Sequence, residues 1–365
     1  PGGSESVLKA TEDRLAAARN SGRSGALATS LLQATSAHLA QAAGNEHGEA
    51  LEKVEEALAL FRKAANKEGE AAALRLAAAA HLAVGARAPA RAVASEALAN
   101  CRVLGHRRGA AATLTTLAQL EVSEGRHLEA LLAATEALEL FEELGERRGA
   151  AGALHAVATV LLAASEPGRK QGLAAEEELR HARLAAQEAC TLFRELRDAR
   201  GEAIVLNVEA HACLLLGDCD QAVKLASDAV LLLRGSGDRW REAAALELVA
   251  NLQLEKGELE KAAIVAEDTL VLCGELGHRR GEADALQIVA SIRLQRGESG
   301  EALRALRLAG SAWRELRDRG AEAGTLLAAA RLLAQRQELA EALAAANQAR
   351  TLLEELGDKA RLGEG

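Results

Sequence analysis

A six-residue signature recurs along the chain at a spacing of 40. Residues 104–109 read Leu-Gly-His-Arg-Arg-Gly, residues 144–149 Leu-Gly-Glu-Arg-Arg-Gly, and residues 276–281 Leu-Gly-His-Arg-Arg-Gly. The last residue of the signature, here called the marker, falls at Gly69, Gly109, Gly149, Gly201, Arg241, Gly281, Ala321 and Arg361. Seven units therefore follow one another, and the one ending at Gly201 carries an insertion of 12 residues. A fixed period of this length means stacked modules rather than one closed core. Such a module cannot bury its apolar face alone, so its neighbours must supply the other wall.

The rows inside the unit say what the module is. Five residues after the marker stands Leu74, Leu114, Leu154, Leu206, Leu246, Leu286 or Leu326, and nine after it Ala78, Ala118, Ala158, Ala210, Ala250, Ala290 or Ala330. A turn follows, usually at Gly85, Gly125, Gly217, Gly257 or Gly297. Five residues on comes Ala90, Ala130, Ala182, Ala222, Ala262, Ala302 or Ala342. A last small row holds Ala97, Ala137, Ala189, Ala229, Ala309 and Ala349, with Thr269 the departure. Small residues at helical spacing let two helices approach closely, while leucines fill the groove between them. Composition agrees: 49% of residues are hydrophobic but only 1% aromatic, so the apolar material is mainly Ala and Leu, which favour helix over strand. The reading is all-α, with each unit a helix–turn–helix hairpin.

This pattern resembles the tetratricopeptide repeat, whose Leu-small pair, turn, Glu-Ala and later Ala stand here as Val289-Ala290, Gly297, Glu301-Ala302 and Ala309. The family's terminal Pro is missing, and the second helix runs on through Arg314-Glu315-Leu316, a 40-residue form similar to the repeats of Pins-type adaptors. The resemblance covers about residues 26–360. It implies a right-handed α-solenoid of about eight hairpins that binds other proteins. The expected organisation is a helix and loop at 1–25 serving as a cap, with Ser21–Gly25 as the loop. The array at 26–360 follows, with a degenerate first unit at 26–68 and the insertion near 166–177; a tail occupies 361–365. In the degenerate unit Ala34 and His38 stand where Leu and Ala belong.

Other function classes are disfavoured. A net charge of −9 and few aromatics do not suit a phosphate-backbone surface, so no nucleic-acid partner is expected. The uncharged stretches 24–45 and 149–165 are respectively too polar and too short for a membrane span, so no insertion is expected. Five Cys without a CxxC favour a reducing intracellular compartment, cytoplasm or organelle interior. No phosphate loop, dinucleotide fingerprint, GxSxG or HExxH motif occurs, so no catalytic residue, cofactor or small-molecule substrate is expected. His211, Cys213 and Cys219 fall short of a four-ligand zinc set, and Cys213 reads as a small core residue, so no metal is expected. His106 and His278 share an inter-repeat turn, where an imidazole at a helix C-terminus would meet the negative end of the dipole.

The resemblance places first-helix positions 5 and 9, counted from Ala71 and its equivalents, in the groove. Position 5 holds Arg75, Thr115, His155, Asn207, Glu247, Gln287 and Leu327; position 9 holds Ala79, Gln119, Thr159, His211, Asn251, Ser291 and Arg331. The expected partner-binding set is Arg75, Thr115, Gln119, His155, Thr159, Asn207, His211, Asn251, Gln287, Ser291 and Arg331. A polar stripe on an otherwise apolar helix faces water or a ligand, and neutral amides, hydroxyls and imidazoles suit a peptide backbone. No Lys occupies these positions, which argues against a clamp for a terminal carboxylate. Two readings follow: a scaffold holding a partner segment in the groove, or a subunit fixed in a large complex through its outer surface and edges.

Overall fold

The structure, a computed structural model, describes residues 3–21, 24–41, 46–165 and 173–357, all in helices and short turns. The helices are α1 (Gly3–Ser21), α2 (Ser24–Gln41), α3 (Glu46–Lys63), α4 (Lys67–Ala83), α5 (Arg87–Val103), α6 (Arg107–Ser123), α7 (His127–Glu143), α8 (Arg147–Ala164) and α9 (Leu173–Glu195). After them come α10 (Ala199–Leu215), α11 (Cys219–Ser236), α12 (Arg239–Glu255), α13 (Leu259–Leu276), α14 (Arg279–Gln295), α15 (Ser299–Glu315), α16 (Arg319–Gln335) and α17 (Leu339–Glu355). From α2 onward they pair as hairpins, even-numbered first helix with odd-numbered second helix. The chain is an all-α array of tetratricopeptide-type hairpins, divided into two compact units, residues 1–238 and 239–365. The loop at Ser21–Gly25 is shorter than its residue types suggest, since α2 already begins at Ser24; residues 22 and 23 lie outside the described residues, as do 166–172 of the insertion and the tail at 361–365. The insertion's remaining residues start α9, which has 23 residues where most second helices have 17 or 18.

The small rows form the contact line of each hairpin. Ala78, Ala118, Ala158, Ala210 and Ala250 are buried, and so are Ala90, Ala130, Ala182, Ala222, Ala262 and Ala302. A further row, Ala94, Ala134, Ala186, Ala226 and Ala266, lies one turn on and is equally buried. Thr269, the departure from the last row, is buried because its hydroxyl donates to the carbonyl of Val265 at 2.7 Å, leaving no bare polar group. Leu74 to Leu246 are buried, whereas Leu286 and Leu326 are half-buried.

The marker glycine has a packing cause. Eight residues before it stands Phe61, Phe141 or Phe193, and the ring covers Gly69, Gly149 or Gly201 so closely that an added Cβ would lie inside it. Where Cys101 or Cys273 takes the place of Phe, His106 or His278 fills the remaining space over Gly109 or Gly281. These two histidines are the N-cap residues of α6 and α14, at the positive end of the helix dipole, and neither side chain makes a capping bond. The C-terminal dipole role is therefore corrected: burial and the neighbouring Arg280 push the His278 pKa down, keeping its ring neutral. Asn66, Asp198 and Asp318 at the same turn position do cap, accepting from the N–H of Gly69, Gly201 and Ala321 at 3.0, 3.0 and 3.1 Å.

An arginine just before the marker ties successive repeats together at four junctions, each within one compact unit. In the first unit Arg108 meets Glu146 at 3.4 Å, Arg148 meets Asp198 at 2.6 Å and Arg200 meets Asp238 at 2.7 Å. In the second, Arg280 approaches Asp318 at 3.9 Å, while Trp240 and His278 replace the ion pair by an edge-on ring contact of 4.6 Å. A parallel rail joins Arg107 to Glu143, Arg147 to Glu195, Arg239 to Glu275 and Arg319 to Glu355. The late acids of the second helices thus face solvent as ladder partners. Each such exposed pair is worth only about 0–1 kcal/mol, so the ladder sets register more than stability.

Candidate functional site: the first-helix face

In the first unit neighbouring first helices touch one another, α2 with α4, α4 with α6, α6 with α8 and α8 with α10; in the second α12 touches α14. The second helices are held further apart. The first-helix side is thus the tighter side of each unit, which explains why position 5 is half-buried: Arg75, Thr115, His155, Asn207 and Gln287 all lie partly between adjacent first helices. At position 9, Gln119, His211, Ser291 and Arg331 are exposed, while Thr159 and Asn251 are half-buried. The expected set falls into two groups. Arg75, Thr115, Gln119, His155, Thr159, Asn207 and His211 share the face of the first unit; Asn251, Gln287, Ser291 and Arg331 belong to the second.

The chemistry of the first group is neutral, with one cation. Thr115 and Thr159 donate to the carbonyls of Ala111 and His155 at 3.1 and 2.8 Å, so their hydroxyl oxygens remain acceptors. His155 makes no side-chain hydrogen bond, and burial pushes its pKa down, so the imidazole is neutral at pH 7. Arg75 makes no ion pair, and burial lowers its pKa. The Oδ1 of Asn207 is buried with no hydrogen-bond partner. A buried acceptor left bare costs about 1–3 kcal/mol.

The second group is different. Gln287 spends its amide on Thr325 Oγ1 at 2.9 Å, and Ser291 donates to the carbonyl of Gln287 at 3.0 Å. Glu247, at position 5 of the same face, is half-buried, and burial, with Asp284 adding, raises its pKa to about 7 against the pull of Arg280. Burial also raises Asp284, which stands at position 2. Asp284 was missed by sequence reasoning because only positions 5 and 9 were expected to face the groove. The signal was there, in a lone acid among the position-2 residues Ala72, Ala112, Gly152, Ile204, Ala244 and Gly324.

Of the three metal candidates, Cys213 is fully buried whereas His211 is exposed and Cys219 half-buried. Among the described residues, no three His, Cys, Asp or Glu side chains are grouped to hold a metal ion, and no helix is long and apolar enough to cross a membrane.

No family model matches the chain, and no curated protein does. Solved structures do match in fold. They include a Rap protein complexed with Competence and Sporulation Factor, with TM-score 0.61, 14% identity, and 97% of this chain and 99% of that one covered. The apo quorum sensor NprR from B. thuringiensis gives TM-score 0.62 and 13% identity, covering 88% of each chain. Aspartyl phosphate phosphatase F from Bacillus subtilis gives 0.59 and 12%, covering 82% of this chain and 75% of that one. At these identities the likeness is one of fold.

Proposed function

We propose that the chain is a non-catalytic scaffold that holds a segment of a partner protein against its first-helix face. The observation that carries this reading is a first-helix face of half-buried and exposed neutral groups, the hydroxyl oxygens of Thr115 and Thr159 among them, which suits the backbone N–H groups of an extended segment. Gln119, His155, Asn207 and His211 share that face in the same unit. Each hydrogen bond contributes only about 0.5–1.5 kcal/mol, so contact over several helices is required. Among the neighbours of the same fold, one was captured with a Competence and Sporulation Factor and another is a quorum sensor, both in keeping with recognition rather than chemistry. The 40-residue unit further suggests an adaptor of the Pins type.

A second reading, a subunit fixed in a larger assembly, draws on a specific feature of the second helices. Leu128, Leu132, Leu184, Leu231, Ile264 and Val271 are all more than 60% exposed there. Large exposed apolar side chains at recurrent sites suit a standing contact.

The test begins with partners recovered with the native protein and identified by mass spectrometry. Asn207→Ala combined with Asn251→Ala should release a groove-bound partner, whereas Glu139→Ala with Arg304→Ala on the second helices should retain it. The opposite pattern favours the assembly subunit.

A further inference from the structure

Between adjacent second helices the hairpins leave clefts, and an arginine closes two of them. Arg62 of α3 reaches Glu96 of α5 at 2.8 Å, and Arg102 of α5 reaches Glu136 of α7 at 2.7 Å. The same repeat positions between α9 and α11 hold Arg194 and Asp228. The acid is one methylene shorter there, and the strap does not form. Arg194 keeps a contact that Arg62 also makes, Glu202 at 2.8 Å against Glu70 at 3.0 Å, but its free end turns to the Cys190 sulfur at 3.5 Å, and Asp228 makes no hydrogen bond or ion pair. The cleft stays open, with a volume of about 690 Å³.

Its lining is built for a cation on an apolar stem. Glu209 on the floor is 4% exposed; its Oε1 accepts from Gln187 at 2.7 Å and lies 3.7 Å from Arg183, and its Oε2 makes no hydrogen bond. Leu206 and Leu225 are buried beside it, and Leu231 rises 64% exposed on the wall. Asp228 stands on that wall with the strap position empty in front of it. Lys224, one turn before Asp228, forms no ion pair with it. A guanidinium is planar, carries five donors in a fixed fork and is weakly hydrated, so it can bond two carboxylates at different depths while its methylenes lie on leucine. An ammonium offers no such fork.

We propose that the cleft between α9 and α11 is a docking slot for an arginine side chain carried on an exposed segment of a partner protein. The incoming guanidinium takes the place that Arg102 fills in the closed cleft, bonding Asp228 at the wall and Glu209 Oε2 at the floor. This slot lies on the second-helix side and does not depend on the first-helix groove.

The experiment titrates the full-length, ¹⁵N-labelled chain with N-acetylated, C-amidated Ala-Leu-Arg-Leu-Ala and follows amide shifts. We expect saturable shifts in α9 and α11 at millimolar peptide, weaker by about tenfold or more for the same peptide with citrulline or Lys in place of Arg. Asp228→Asn, an exposed site that the fold does not need, should weaken the Arg peptide to the citrulline level. Asp228→Glu should let Arg194 close the strap and abolish the shifts, and adding Arg194→Ala to it should restore them. Absence of saturable shifts, equal binding of the citrulline or Lys peptide, or full binding by Asp228→Asn would each overturn the proposal.

Discussion

Two junctions built on one signature are closed in opposite ways. In the first unit the ring of Phe141 lies over Gly149, an apolar lid on bare backbone. In the second, Cys273 and His278 share the space over Gly281, with sulfur and Nδ1 3.9 Å apart and Trp240 against the imidazole edge. The first kind stores its stability in buried aromatic area. The second divides the volume between two smaller groups, and it brings titratable side chains to the contact: burial, then Glu247, Glu282 and Asp284, push the Cys273 thiol up to about 11. The repeat keeps the space to be filled, not the residue that fills it. A junction filled by one large ring should therefore be stronger, less forgiving of added atoms and indifferent to pH.

Truncating the fillers should give the largest difference. Phe141→Ala removes a buried ring and should cost about 3–5 kcal/mol, whereas Cys273→Ala removes one sulfur and should cost about 1 kcal/mol. Denaturant midpoints of the two purified variants decide it, and equal losses would break the contrast.

Adding a methyl group probes the same spaces from the other side. Gly149→Ala drives a Cβ into a ring wedged between helices and should cost about 1–3 kcal/mol. Gly281→Ala meets Cys273 Sγ and His278 Nδ1 at 2.6 Å, and these small side chains can swing away, so the cost should be under about 1 kcal/mol. The sequence contains its own control: where Leu233 or Trp313 stands at the filler position, the marker is Arg241 or Ala321. Phe141→Leu should accordingly rescue part of Gly149→Ala in a double-mutant cycle.

The pH response should separate the two units. Glu247 has a folded pKa of about 7, above its ordinary value of 4.5, because burial disfavours the carboxylate. Its contribution to stability is therefore fully present below about 4.5 and is lost as pH rises through 7. A tenfold difference in proton affinity between the folded and unfolded chain corresponds to about 1.4 kcal/mol. With solvent screening of a half-buried group, Glu247→Gln should gain about 1–2 kcal/mol over the parent at pH 8 relative to pH 5. Asp284, also raised, pulls in the same direction, and His278, lowered, opposes it only on the acid side. Hydrogen exchange should place the gain in residues 243–292 and leave the Phe141 junction unchanged at both pH values.

Much of this was legible in the sequence. The period fixed the hairpins, and the Ala rows at 78, 90 and 97 and their equivalents marked the contact line, because the same small residue held at one position through repeat after repeat lets two helices approach closely. The additional row from Ala94 to Ala266 is harder to see in the sequence, since Leu306 breaks it late in the array. The cause of the marker Gly, a ring eight residues upstream, is a tertiary contact hidden in the sequence by the alternation of Phe, Cys, Leu and Trp. On the first-helix face, polarity was readable but exposure was not. How deeply Asn207 and His155 sit depends on how closely neighbouring first helices approach, which one unit's sequence does not encode.

The smallest expected effect concerns the charge ladder, which crosses both kinds of junction. Arg148 and Asp198 are joined at 2.6 Å, yet the arginine is 76% exposed, so side-chain entropy and solvent offset most of the attraction. Reversing the pair, Arg148→Asp with Asp198→Arg, keeps the attraction but removes the Asp198 cap from Gly201 N–H. Two effects are thus mixed, and a cycle through Arg148→Ala and Asp198→Asn separates them, because Asn still caps. The coupling between Arg148 and Asp198 should be about 0.2–1 kcal/mol and should shrink in molar salt. At Trp240 and His278 the same ladder position is held by a ring contact, so its coupling should not respond to salt. If salt weakened both couplings alike, the second junction would be electrostatic after all, and the division between an apolar and a polar way of closing the repeat would need to be redrawn.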